Sequence, residues 1–169
     1  IFGQPAPLGR DLVLDGPQAA THVEITPPAG EGAGDWLGAA GDVNGDGCDD
    51  LLIGTAAGAA DATTVHLLLG RKGAWWETTA LDDHAAAQIE IDPAGAAMSG
   101  VGDMDADAYD EFAIAAGAHV YVFAGSDTFE TGATEALPLS DALTHGLADF
   151  DSRDATPQIA PLGDVNGDG

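Results

Sequence analysis

Apolar residues in this chain come in short runs closed by glycine, and the runs recur in a fixed order. A run of small apolar residues ending in Gly occupies 37–41, 98–102 and 159–163, and an acidic stretch follows each one. Next come Leu51-Leu52-Ile53-Gly54 in the first unit and Phe112-Ala113-Ile114-Ala115 in the second. After a turn rich in Gly and Ala, a second apolar run ends at Gly70 and at Gly125. These runs read Val65-His66-Leu67-Leu68-Leu69 and Val120-Tyr121-Val122-Phe123-Ala124. Further apolar or alternating pieces lie at 12–14, 22–25 and 88–91, and Ile1-Phe2-Gly3 reads as the tail of another second run. Runs this short, bounded by Gly, Pro and Asp, predict strands and not helices. Each unit offers about four strands, and roughly sixty residues with four strands is the size of a propeller blade. The expected fold is therefore all-β, with blades of four antiparallel strands, about two and three-quarter of them present. Cut at the closing glycines, the single repeat array 1–169 divides into approximate units 1–70, 71–125 and 126–169.

The acidic stretches carry the chemistry. Asp42-Val43-Asn44-Gly45-Asp46-Gly47 returns unchanged as Asp164-Val165-Asn166-Gly167-Asp168-Gly169, and a relaxed copy opens midway at Asp103. Asp42, Asn44 and Asp46 stand at positions one, three and five of a tight turn; Gly47 permits the bend at six. The carbonyl of Cys48 sits at seven, and Asp50 closes at nine. Alternate residues of such a turn point inward and gather hard oxygens around one point. Oxygen ligands without His or Cys side chains suit Ca²⁺ better than Zn²⁺. An EF-hand loop would need a carboxylate at position twelve, where this chain has Ile53 and Ile114. The chain therefore leaves the loop as a strand.

The pattern D-x-N-x-D-G-x-x-D-L-x-I-G, with a small-residue strand before it and an apolar strand ending in Gly after it, resembles the FG-GAP repeat. That repeat builds the β-propeller of integrin α-subunits and of many bacterial surface proteins. The resemblance covers nearly the whole chain and implies a calcium-binding, extracellular module with protein or glycan partners. The second loop departs from the pattern: Ala106 and Ala108 replace glycines and Glu111 replaces Asp, while Asp103, Asp105, Asp107 and the Tyr109 carbonyl keep the ligand positions. A weaker site in a looser turn is expected there. Asp164, Asn166 and Asp168 match but stop short of positions seven and nine. By this pattern the chain is expected to start at the end of a strand and to stop inside a loop. It is expected to be a window of a longer propeller, or a subunit whose copies complete one another's blades.

Charge sharpens this picture. The net charge is -25, from 29 acidic residues against four basic ones, Arg10, Arg71, Lys72 and Arg153. Such a field repels nucleic acid and anionic lipid and attracts cations. High-salt adaptation is another source of it. Cys48 is the only cysteine, so no intrachain disulfide forms, and no apolar run is long enough to span a membrane. No signal peptide is visible at the start. Extracellular Ca²⁺ modules bind at roughly 10⁻⁴–10⁻³ M, which suits the cell exterior and fails in the cytosol.

Other candidates read as structural. His22, His66, His84, His119 and His145 are scattered; His66 and His119 fall on the same strand of successive units, where packing is the expected role. Ser99, Ser126, Ser140 and Ser152 lack a nucleophile elbow. Cys48 sits in an acidic loop that raises its pKa. Trp75 and Trp76 are expected to pack rather than to stack on a sugar or partner, and Asp149, Asp151 and Asp154 around Arg153 form a polar connection. The expected function is a non-enzymatic, Ca²⁺-stabilised extracellular propeller module for adhesion or surface assembly, with no nucleic acid and no membrane insertion. The alternatives are a self-assembling filament subunit and the propeller scaffold of a secreted lyase or phospholipase-type enzyme.

Overall fold

The computed structural model describes residues 23–57, 63–73, 78–91, 96–116, 119–142, 144–146 and 159–160. Ile1-Phe2-Gly3, the run at 12–14, His22, Trp75, Trp76, the turn at 149–154 and the third loop with Asp164, Asn166 and Asp168 lie outside them. The regular structure among the described residues is almost all β. The strands are β1 (Glu24–Thr26), β2 (Glu31–Gly41), β3 (Asp50–Ala57), β4 (Thr63–Leu68), β5 (Thr78–Ala80), β6 (Ala87–Ile91), β7 (Ala96–Gly102), β8 (Glu111–Ala116), β9 (His119–Phe123), β10 (Glu135–Ala136) and β11 (Thr144–Gly146). One turn of α-helix, α1 (Leu81–His84), follows β5, and a 3-10 turn occupies Leu139–Asp141.

Two four-stranded antiparallel sheets emerge. The first runs β2-β3-β4-β6 and the second β7-β8-β9-β11; the first three strands of each follow one another in the chain, and the fourth returns after a connection that holds β5 and α1 in one case and β10 in the other. This is the make-up of a propeller blade. The fourth strand of the first blade is β6, beyond Gly70, so the sheets group 31–91 and 96–146. They run out of phase with units cut at the closing glycines, because β6 returns only after β5 and α1.

Each blade also sends a short parallel strand backwards. β10 lies in the connection between β9 and β11, yet it pairs in parallel with β6 on the outer edge of the first blade. Glu135 N–H donates to Ala86 O at 2.8 Å and Leu137 N–H to Gln88 O at 2.9 Å. β5 lies in the matching connection of the first blade and pairs in parallel with β1. β1 precedes β2 by residues 27–30 as β6 precedes β7 by residues 92–95. β1 thus stands to β5 as β6 stands to β10.

Alternation along the strands decides what packs where. Leu52, Val65, Leu67, Ile89 and Ile91 share one face of the first blade through the registers Leu52↔Leu67 and Val65↔Ile89. They form a core with Met98, Phe112, Ile114 and Phe123 of the second blade. The rings of Phe112 and Phe123 stack with centroids 5.2 Å apart. The opposite face of the first blade carries Leu51, Ile53 and Leu68, which pack with Leu81 and Ile25. Along the inner strands, the blades touch backbone to backbone. A Cβ on Gly38 would meet Met98 O at 2.5 Å, and one on Gly100 would run into Ala40 O. Only glycine permits that approach.

The two histidines are not equivalent. His66 pairs with Ile53, whereas the residue paired with Ile114 is Tyr121, and His119 pairs with Ala116. His66 is buried, with Thr55 Oγ1 3.0 Å from Nε2, and burial pushes its pKa down. His119 is exposed and tilts against Tyr121. The recurrence was an accident of spacing, since the strands start at different distances from their loops.

Candidate metal loops

Loop 1 (42–50) joins β2 to β3. A register shift between Ala39 and Gly41 turns the strand out at its base, with Gly41 at φ 84. The Asp42 carboxylate then accepts from the N–H of Asp46 (2.9 Å, Oδ1) and of Gly47 (2.8 Å, Oδ2), folding the loop over itself. Asn44 Oδ1 accepts from the same Asp46 N–H at 3.2 Å. Gly45 and Gly47 take φ 71 and 83, the left-handed region. Asp50 closes the loop from beneath. Its Oδ2 accepts from Val43 N–H at 2.9 Å and its Oδ1 from Gly70 N–H at 2.7 Å, tying the loop to the end of β4.

Electrostatics follow from this crowding. Asp50 is buried, and burial, helped by Asp42 and Asp46, lifts its pKa to about 6 against the opposing pull of two N–H donors. Burial and then Asp46 push the Cys48 thiol up, while Lys72 opposes the rise. The Lys72 ammonium donates to Asp46 O at 2.6 Å. That partner had no signal in the spacing, because it comes from beyond β4.

Residues 34–68, from within β2 through loop 1 to the end of β4, match the family model of the FG-GAP repeat. This segment is an FG-GAP repeat. No curated protein and no solved structure matches the chain. No helix among the described residues is long and apolar enough to cross a membrane.

Loop 2 (103–111) repeats the construction of the FG-GAP loop. Asp103 accepts from Ala106 (2.7 Å), Asp107 (3.2 Å) and Ala108 (3.0 Å), and Glu111 Oε2 accepts from Met104 N–H at 2.6 Å, as Asp50 does from Val43. Asp107 Oδ1 accepts from Tyr109 N–H at 2.9 Å. The expected looser turn is not found. Ala106 and Ala108 hold φ 64 and 77, the left-handed path that Gly45 and Gly47 take in the FG-GAP repeat. The carboxylate of Asp103 holds them there against their side-chain preference.

The predicted ligands gather differently in the two loops. Carboxylate oxygens of Asp103, Asp105 and Glu111 lie within 4.8 Å of one another. Among the described residues no acidic triad of the FG-GAP repeat's own loop converges in that way; Asn44 replaces one carboxylate there. Glu111 is only 1% exposed, and its Oε1 makes no hydrogen bond. Burial raises its pKa, and Asp105 and Asp107 add to the rise. The N–H of Gly125, standing where Gly70 stands, opposes this without closing a well-formed bond to Oε1.

One residue that joins the loops escaped sequence reasoning. Asp110, at position eight of loop 2, reaches across to the FG-GAP loop: its Oδ2 accepts from Asp42 N–H at 2.9 Å. Its own N–H donates to Asp42 O at 3.1 Å, and Ser126 N–H donates to Val43 O at 2.8 Å. The only sequence signal was an acid at position eight in both loops, Asp49 and Asp110, adjacent to the closing carboxylate.

Proposed function

We propose that this chain is a calcium-stabilised, non-catalytic β-propeller module that acts outside the cell in adhesion or surface assembly. The observation that carries the reading is Glu111: a buried carboxyl with an unpartnered oxygen, converging with Asp103 and Asp105. Three hard-oxygen donors, one of them buried with an oxygen that makes no hydrogen bond, fit Ca²⁺ in chemistry. Loop 2 would hold it through Asp103, Asp105, Asp107, the Tyr109 carbonyl and Glu111. Loop 1 would use Asp42, Asn44, Asp46, the Cys48 carbonyl and Asp50, and the third loop would offer Asp164, Asn166 and Asp168. When bound, Ca²⁺ supplies the positive charge that offsets repulsion among these carboxylates in a chain of net charge -25. An affinity of the extracellular class, roughly 10⁻⁴–10⁻³ M, would suit the cell exterior and fail in the cytosol. The partner is a protein or glycan ligand.

The test is thermal unfolding with excess Ca²⁺ and with chelator. A ligand at a hundred times its Kd stabilises by about 2.7 kcal/mol, or about 5–10 °C in Tm for a domain of this size. Identical Tm values in both conditions would sink the calcium reading.

A second reading, a subunit that self-assembles to complete the propeller, draws support from Leu37. Its counterpart in the second blade, Met98, is 7% exposed against the first blade, whereas Leu37 is 61% exposed. Calcium-driven growth in particle size by light scattering would favour assembly; a constant size would remove it.

A further inference from the structure

The two described loops are not separate modules. Asp42 opens loop 1, and both its N–H and its C=O are bonded to Asp110 of loop 2, a residue of the other blade. Tyr109 packs into the same joint: a Cβ on Gly45 would lie 2.8 Å from Tyr109 Cε1. A Cβ on Gly41 would collide with the Asp110 carboxylate, so the backbone at the base of loop 1 fits closely around that side chain. Asp110 is also the chain neighbour of Glu111, whose buried, unpartnered Oε1 belongs to the loop 2 cluster. Whatever fixes Glu111 fixes the backbone from which Asp110 reaches.

We infer that loop 1 is completed across the blade boundary, with Asp110 as its positioning residue, so that cation binding at Asp103, Asp105 and Glu111 raises the affinity of loop 1. The inference rests on the calcium reading above and adds a coupling to it. Glu111 ordered on a cation holds the 109–111 backbone. Asp110 then holds the main chain of Asp42 in the arrangement that presents its carboxylate. By linkage, loop 1 returns the same factor to loop 2. Loop 1 carries its own reporter, because Cys48 is the only thiol in the chain.

The experiment uses the full chain and Ca²⁺ alone. Calorimetric titration counts sites, and the rate of Cys48 labelling by a maleimide, followed against Ca²⁺, reads loop 1. Circular dichroism checks that each variant folds. Glu111→Gln is expected to remove one site and to move the Cys48 midpoint at least about fivefold higher in Ca²⁺, the lower end of ordinary coupling. Should that variant not fold, Asp105→Asn replaces it. Asp110→Ala is expected to keep the number of sites yet shift the Cys48 midpoint likewise. Asp110→Asn keeps an oxygen acceptor for Asp42 N–H and is expected to restore the wild-type midpoint. A purely structural role for Asp110 would lower Tm in the alanine variant and leave the midpoint in place. Unchanged midpoints in Glu111→Gln and Asp110→Ala, with Ca²⁺ still bound, would overturn the coupling alone. So would binding heat without any response at Cys48. Absence of binding heat in the wild type would overturn the calcium reading and the coupling together.

Discussion

Ala108→Gly should stabilise this protein, although it removes a methyl group and adds chain freedom. Ala108 sits at φ 77, and its counterpart Gly47 at φ 83. Left-handed backbone costs an L-residue about 1–2 kcal/mol. Glycine removes that cost, and the freer unfolded chain returns about 0.4–1 kcal/mol. The side chain of Ala108 is exposed, so no packing is lost. The balance is a gain of about 0.5–1 kcal/mol, or about 1–4 °C in Tm. Urea unfolding in chelator measures it without interference from cation binding. The reverse change, Gly47→Ala, should cost about 1 kcal/mol on the same grounds. The new Cβ would meet only the flexible end of Lys72, so strain rather than collision dominates. A loss of stability in Ala108→Gly, or no loss in Gly47→Ala, would refute the claim that the two loops share one backbone path.

The remaining predictions concern charge and packing. With its pKa raised from 3.8 to about 6, the Asp50 contribution is fully present below pH 4 and is lost as pH rises through about 6. In chelator the loss between pH 4 and pH 7 amounts to roughly 2 kcal/mol once solvent screening is allowed for, and excess Ca²⁺ should flatten the decline because it favours the ionised form; urea midpoints at pH 4 and pH 7 check both. Phe112→Ala, at a fully buried ring stacked on Phe123, should cost about 3–5 kcal/mol in the same assay. Gly100→Val drives a side chain into the Ala40 carbonyl between the inner strands and should cost at least about 1–3 kcal/mol.

Strands that pack by alternation were legible in the sequence. The run at 51–54 became part of β3 and that at 112–115 part of β8, because apolar residues there mark buried sheet faces. β5 and β10 were not legible. Their sequences, Thr78-Thr79-Ala80 and Glu135-Ala136, have no apolar pattern, since what holds them is parallel pairing to a strand far away in sequence. In the loops, ligand spacing was legible because it is local. The left-handed alanines were misread as loosening, since the three bonds to Asp103 that hold the turn do not show in a one-letter pattern. Asp110 was missed for the opposite reason: its partner lies in another blade.

The backward-reaching strands give the fold a direction in time. An outer strand such as β6 has a bare hydrogen-bonding edge until β10, which belongs to the following blade's connection, arrives to cover it. Bare edges recruit other chains. As the polypeptide emerges from its N-terminal side, the first blade therefore keeps that stretch of its edge open until the connection of the second blade is made. A chain halted between β6 and β10 would leave the backbone of Ala87 and Gln88 without the partners that Glu135 and Ala136 supply.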